Sequence, residues 1–264
     1  MSLKEVAKRL LPEPVRSRSR AAVGARRESA LDKGFVTFLG IGLDDLARYR
    51  AEIEASGLFT RLDDAARWFN QNVHGHSNTG KAVRVGGLSA DRGSRLYALV
   101  RTLRPDIAVE TGVCNGFSTA FILLAMERNA RGRLHSIDLP EVAGQDYREG
   151  TFSTNKGGAV IPPDKQPGWV VPDELRSRWK LHLGSTIDEL PPLLSELGTI
   201  GFFLHDSDHT YANMMFEFDQ AFPRLQSDGV LVADDAWNSA FTEFASVQHR
   251  EVAKLGTAML MIRK

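Results

Sequence analysis

The chain has 264 residues, with 33 Lys and Arg against 33 Asp and Glu and a formal charge of +0. A chain of this length buries about 70% or more of its unfolded surface, so one large domain with an appendage, or at most two small ones, needs no covalent or metal staple. The neutral balance gives no steering field toward nucleic acid or membrane, and Cys114, the single cysteine, excludes an intrachain disulfide and any multi-cysteine metal cluster.

The opening stretch MSLKEVAKRLLPEPVRSRSRAAVGARR lacks the apolar segment of a secretory signal. Apolar runs such as 200–204 fall far short of the roughly 20 residues that cross a bilayer, and a cytoplasmic protein is expected. The Arg-, Ser- and Ala-rich segment 16–30 offers little apolar area to offset ordering and is expected to be a mobile arm. Residues 29–72 read as helical. Within them Thr60 and Asp63 form an acidic capping pair ahead of Leu62, Ala65, Ala66 and Phe69 at helical spacing. The polar, Gly-rich segment 73–87 is a loop, where His74 and His76 are expected to be solvated rather than metal ligands.

From Arg95 the pattern changes. Leu96, Leu99, Val100 and Leu103 mark one helical face, ended by Pro105, which has no amide proton to continue the ladder. Strands are then predicted at 107–111, 134–138, 180–184, 199–206 and 229–235, with helices near 118–128 and 211–224 and a further helix opened by a Thr186/Glu189 capping box. Tyr211, Met214, Met215, Phe218 and Phe222 form the apolar stripe of the 211–224 helix. A last strand near 257–262 has the character of an antiparallel edge. Short apolar strands alternating with amphipathic helices imply a mostly parallel sheet covered on both faces. Such a sheet binds ligands beyond the carboxyl ends of its strands, here just after residues 110, 138, 184, 205 and 233.

Two of those ends carry motifs. VETGVCNGFST, 109–119, places Gly112 and Gly116 where backbone can approach a ligand closely, with Glu110 as a carboxylate at the strand end. It is not the G-x-G-x-x-G of a dinucleotide site. Asp138, ending the second strand, is placed to accept hydrogen bonds from a ribose diol. The second motif pairs FFLHDSDHTY with GVLVADDAWN, bringing Asp206, Asp208, Asp234 and Asp235 to one sheet edge. Clustered carboxylates repel unless compensated, and a divalent cation with oxygen ligands would compensate them. His205 reads as a satisfied core histidine, and Asp208 either orients His209 or caps the following helix.

ETGVCNGFST resembles the first motif of the class I S-adenosylmethionine (SAM)-dependent methyltransferases, particularly the cation-dependent O-methyltransferases of the catechol and caffeoyl type. GLSADRGSRLYALVRTLRP resembles the segment preceding it. Asp235 stands where catechol enzymes carry Asn, and DSDH followed by the acidic pair resembles macrocin-related sugar methyltransferases. The resemblance implies a Rossmann-like α/β fold with an N-terminal helical extension. It places SAM against Ser89, Glu110, Gly112, Cys114, Gly116, Ser118, Asp138, Gly184 and Ser185. It further implies Mg2+, not separable from Mn2+, on Asp206, Asp234 and Asp235, with His209 as the base and Asp206 as a catalytic ligand.

The expected division is an arm and helical extension over 1–87 and a SAM-binding domain over 88–264. Residues 139–173 form a substrate-side insertion, whose Tyr147, Phe152 and Trp169 could wall the substrate while Lys156 or Lys165 meets an anion. Trp237 and Asn238 would border the same pocket. The function implied is metal-dependent methyl transfer from SAM to a hydroxyl of a small molecule, a sugar or natural-product diol. The partner is that molecule rather than nucleic acid or membrane, with a homodimer or higher homo-oligomer open. The alternatives are a metal-dependent hydroxylase of the cephalosporin type and a noncatalytic SAM- or nucleoside-binding protein.

Overall fold

The computed structural model describes residues 13–75, 83–143 and 159–264, with side chains from residue 23 onward. Three helices come first: α1 (Glu13–Leu39), α2 (Leu43–Ser56) and α3 (Leu58–Asn72). The segment expected to be a mobile arm is therefore helical from residue 16 to 30. Gly57 closes α2 and opens α3 in a left-handed conformation, φ 72°, which a residue with a Cβ adopts only at a cost. That corner starts α3 two residues before Thr60, so the capping pair expected at Thr60 and Asp63 lies inside the helix. The change of direction required a glycine, and the polar residues simply follow it.

The sheet follows α4 (Ala90–Leu103). Its strands are β1 (Ile107–Thr111), β2 (Arg133–Asp138), β3 (Trp179–Leu183), β4 (Ile200–His205), β5 (Leu225–Ala233), β6 (Ala253–Lys254) and β7 (Leu260–Arg263). They lie in the order β3-β2-β1-β4-β5-β7-β6. The first five are mutually parallel, while β7 runs antiparallel to both neighbours. The last strand is thus not the edge expected of it: it inserts between β5 and the two-residue β6. The intervening helices are α5 (Phe117–Asn129), α6 (Thr186–Leu197), α7 (Tyr211–Ala221) and α8 (Ala240–Val247).

Period-two alternation sorts the strands onto two cores. Phe202, Leu204, Val230 and Val232 pack on one face with α4, α5 and residues of α1–α3, among them Phe35, Leu46, Ile53 and Leu62. Phe203, Leu231 and Ala233 face the other way, onto Met214, Phe218, Phe241 and Phe244. The N-terminal helices therefore share the core of the sheet. Arg95 ties them in: it is fully buried and bonds Asp32 at 2.8 Å, Glu28 and the Leu255 carbonyl. Tyr211, assigned to the stripe of α7, is 45% exposed; as the first residue of the helix it escapes the face that Met214 and Phe218 bury. Among the described residues no helix is long and apolar enough to cross a membrane.

Candidate active site

Backbone hydrogen bonds carry the sheet one residue beyond its strands and align the functional segments. The amide of Gly184 donates to the Asp138 carbonyl, Gly112 to Ile137, Asp206 to Thr111 and Asp234 to His205, all at 2.8–3.0 Å. These rungs put the four turns on one rim, around a cavity of about 500 Å³.

At one end stands Asp138, only 3% exposed. Its Oδ1 accepts the amides of Val113 and Cys114 at 3.0 and 3.3 Å, which shapes the glycine turn around it. Its Oδ2 is buried without a hydrogen-bond partner, an expensive state for a polar atom unless a ligand completes it. Gly112, Cys114, Gly116, Ser118, Gly184 and Ser185 line the cavity with it. Ser89 and Glu110 do not. The Ser89 hydroxyl caps α4 by accepting the amide of Arg92, because the turn into that helix leaves an unpaired donor there. Glu110 lies beneath the floor, accepting hydroxyls from Ser118, Thr119 and Ser136 at 2.6–2.8 Å. Burial pushes its carboxyl up to about 7 against the pull of those three donors.

The two motif glycines serve the fold in a way their sequence does not show. A Cβ on Gly112, φ 83°, would overlap the carbonyl of Asp206, and one on Gly116 would come within 2.6 Å of the Gly168 Cα. Their missing side chains let protein backbone come close. Asn115 fastens the same turn by donating to the carbonyls of Val85 and Val160 and accepting the indole of Trp169 at 2.5 Å. Trp169 also packs on Trp68, so its role is structural. Ser185, not Thr186, caps α6, with its hydroxyl accepting the Asp188 amide; the helix starts one residue earlier than the capping box suggests.

The other end holds Asp206, His209, Asp234 and Asp235. Thr210 caps α7, and Asp208 accepts the Thr210 amide at 3.1 Å in the turn before it. Asp208 is thus the capping-side element and its backbone carbonyl holds Asn213. His209 Nε2 lies 3.9 Å from Asp206 Oδ1 and 3.8 Å from Asp235 Oδ2, and its Nδ1 is buried without a partner. Burial first, then the neighbouring His205, lower its pKa to about 4, outweighing the upward pull of Asp235 and Glu217. The imidazole is therefore neutral at ordinary pH, the form that accepts a proton. Under it, His205 and Glu217 are both fully buried and bonded at 2.7 Å. Glu217 also takes the hydroxyls of Thr111 and Ser207 and the Asn213 amide, which fixes the turn carrying His209.

The pKa of Asp234 is raised by burial first, with the charge of Asp235 adding to it. Asp206 is pushed well above the usual carboxylate range by burial and then by Asp234, Asp235 and Glu110. Hard oxygen donors of this kind suit a divalent cation, but the arrangement does not fit one. Both oxygens of Asp234 are taken by Arg92 Nη1, at 2.9 and 3.1 Å. Among the described residues no three His, Cys, Asp or Glu side chains converge as metal ligands. The sequence pattern missed Arg92 because its partner lies 142 positions away.

Lys165 pairs with Asp164 and stacks over Trp68, away from the cavity. Tyr147, Phe152, Lys156 and His76 lie outside the described residues. Trp237 is 73% exposed, with its indole on Asp235, and Asn238 holds the His209 carbonyl at 2.8 Å. Both support the rim rather than line it.

Residues 109–236 match the family described as a methyltransferase domain. The solved structure of the O-methyltransferase NovP superposes with a TM-score of 0.52 at 13% identity, covering 72% of this chain and 86% of that one. An O-methyltransferase from Bacillus cereus in complex with SAH gives 0.48 at 15% identity, covering 79% and 91%. The O-methyltransferase TomG from Streptomyces achromogenes, in complex with SAM, gives 0.45 at 14%, covering 76% and 95%. No curated protein matches the chain. The family match spans both motif regions, and the likeness to NovP is one of fold.

Proposed function

We propose that the chain methylates a hydroxyl of a small molecule, a sugar or natural-product diol, with SAM seated on the Asp138 side of the cavity and the acceptor on the His209 side. The observation that carries this reading is one cavity with an unsatisfied carboxylate oxygen at one end and a neutral imidazole between two carboxylates at the other. NovP, the superposed fold, is described as an O-methyltransferase, which agrees in reaction class.

When bound, SAM supplies an electrophilic methyl group. Asp138 Oδ2 would hold the ribose hydroxyls, with Ser118 and the 112–116 turn lining the same cavity. His209 accepts the acceptor's hydroxyl proton as that oxygen attacks. Asp235, 3.8 Å from Nε2, favours the imidazolium that forms. The enclosed cavity places both partners in one complex, so orientation replaces an encounter. The sequence-level expectation of a metal-bound acceptor would need Arg92 to leave Asp234 and a third ligand to swing in, so the step proposed here uses none.

The test is calorimetric titration of SAM and its demethylated product, followed by transfer of labelled methyl from SAM across a panel of sugar and aromatic diols. Product labelled on oxygen is expected. Tight SAM binding with label on nitrogen or carbon only, or metal-dependent oxidation of the same acceptors, would overturn the reading.

A further inference from the structure

Arg92 occupies the third position of α4, where its amide donates to the Ser89 cap. The first turn of a helix favours acidic residues and disfavours cations, so local helix energetics do not account for an arginine there. Tertiary structure does. Its aliphatic stem lies across Gly256: a Cβ at that position would come within 2.7 Å of Arg92 Cδ and 3.0 Å of Cγ. One turn further along α4, Arg95 bonds the carbonyl of Leu255 at 2.8 Å. The Leu255–Gly256 segment thus holds two arginines side by side. It aims the first at Asp234, whose side chain is 7% exposed against 28% for Arg92.

We propose that Arg92 is the built-in counter-ion of the acidic end of this cavity: seated on Gly256, it holds Asp234 where a divalent cation otherwise would, and the site keeps its shape without one. Asp234 is fixed from two sides, since its Oδ1 also accepts the Asp235 amide at 2.9 Å. Arg92 is the cation that opposes the mutual repulsion of Asp206, Asp234 and Asp235, and it does so from a rigid helix rather than from solution. It is a positioning residue: it sets the placement of Asp234 and Asp235, and through Asp235 the surroundings of His209. The inference builds on the assignment of this end to the acceptor, but its test needs no turnover.

The full-length protein is titrated with Mn2+ and the free-ion signal followed by electron paramagnetic resonance, for wild type, Arg92→Met, Arg92→Lys and Gly256→Ala, with circular dichroism as the folding control. Wild type and Arg92→Lys are expected to bind Mn2+ weakly. Arg92→Met, which strips the cation from a buried carboxylate, should bind one equivalent on the order of tenfold or more tightly, and adding Asp234→Asn should abolish that gain. Gly256→Ala should fall between, because its Cβ displaces the arginine stem. Should Arg92→Met fail to fold, wild type and Gly256→Ala still decide. One tightly held Mn2+ in the wild type, lost in Asp206→Asn, would overturn the proposal, as would Mn2+ affinity equal in all variants. Where methyl transfer is observed, a chelator should leave its rate unchanged. Absence of transfer under every condition would count against the proposed function alone and leave the Mn2+ result standing.

Discussion

Glu217→Gln is the most direct probe of how the site is held. The native carboxylate is fully buried and accepts four donors: His205 Nδ1 at 2.7 Å, Thr111 and Ser207 hydroxyls at 2.5 Å, and Asn213 Nδ2 at 3.0 Å. Burial alone would raise its pKa, but the charge and hydrogen bond of His205, then Ser207 and Thr111, hold it below the usual value. Glutamine keeps the shape and replaces one acceptor oxygen with a donor, so one native donor at least is left facing an NH2 group. A stranded buried donor costs about 1–3 kcal/mol, and the remaining bonds lose the charge that roughly doubles their strength. The total is roughly 2–4 kcal/mol, below the 3–5 kcal/mol for removing one partner of a buried pair outright. For a domain of this size that lowers Tm by roughly 5–15 °C. Urea unfolding at neutral pH measures the first quantity. Because Ser207 and Asn213 brace the turn before His209, kcat should fall while SAM affinity, set across the cavity by Asp138, changes little. Stability within about 0.5 kcal/mol of wild type, or SAM affinity dropping in step with kcat, would refute the reasoning.

Asp138→Ala should weaken SAM binding by about tenfold or more, given ~1.5–3 kcal/mol for hydrogen bonds to a charged group; calorimetry that finds an unchanged Kd would remove the ribose assignment. His209→Ala should cut kcat by about 10²–10⁴ with SAM affinity kept, and a kcat within a factor of two would dismiss His209 as the base. The pH dependence has a definite sign. With a folded pKa near 4 against the ordinary value of 6.5, the native ring resists a proton that the unfolded chain takes up. Its contribution is therefore full above about 6.5 and lost as pH falls toward 4, so His209→Gln should flatten urea-derived stability across that window, and an unchanged slope would contradict the burial argument. Gly112→Ala should cost about 1–3 kcal/mol from crowding against Asp206, plus roughly 1–2 kcal/mol for a left-handed residue bearing a Cβ, read by thermal unfolding; a Tm shift under about 2 °C would mean the β1 and β4 turns are less tightly joined than the backbone contact implies.

Much of the framework was legible because its signals are local. Short apolar runs in 107–111, 199–206 and 229–235 announced strands, and β1, β4 and β5 lie there within a few residues. Pro105 stopped α4 as expected. Errors gathered where a glycine or a distant partner decided the outcome. Gly57 set the start of α3, and the Arg-rich segment is part of α1, where its own Glu28 and the following Asp32 bind the buried Arg95. Gly112 and Gly116 line the cavity, as the turn motif suggested, and their missing side chains also admit close protein neighbours. Here the neighbours are the Asp206 carbonyl and Gly168.

By itself the amino-acid sequence determined the βα alternation, and with it the rim on which Asp138, Asp206, His209, Asp234 and Asp235 all had to sit, since residues that end parallel strands share one edge of the sheet. Tertiary structure alone decided which charges meet there. Arg92 reaches Asp234 and Glu217 reaches Thr111 across 142 and 106 positions, and Ser89 and Glu110 turn from the cavity to a helix cap and a buried hydroxyl cluster. Periodicity reports which face of an element is apolar; it carries no information about which polar side chain from another element will find the carboxylate first. At this site that pairing governs the balance of charge.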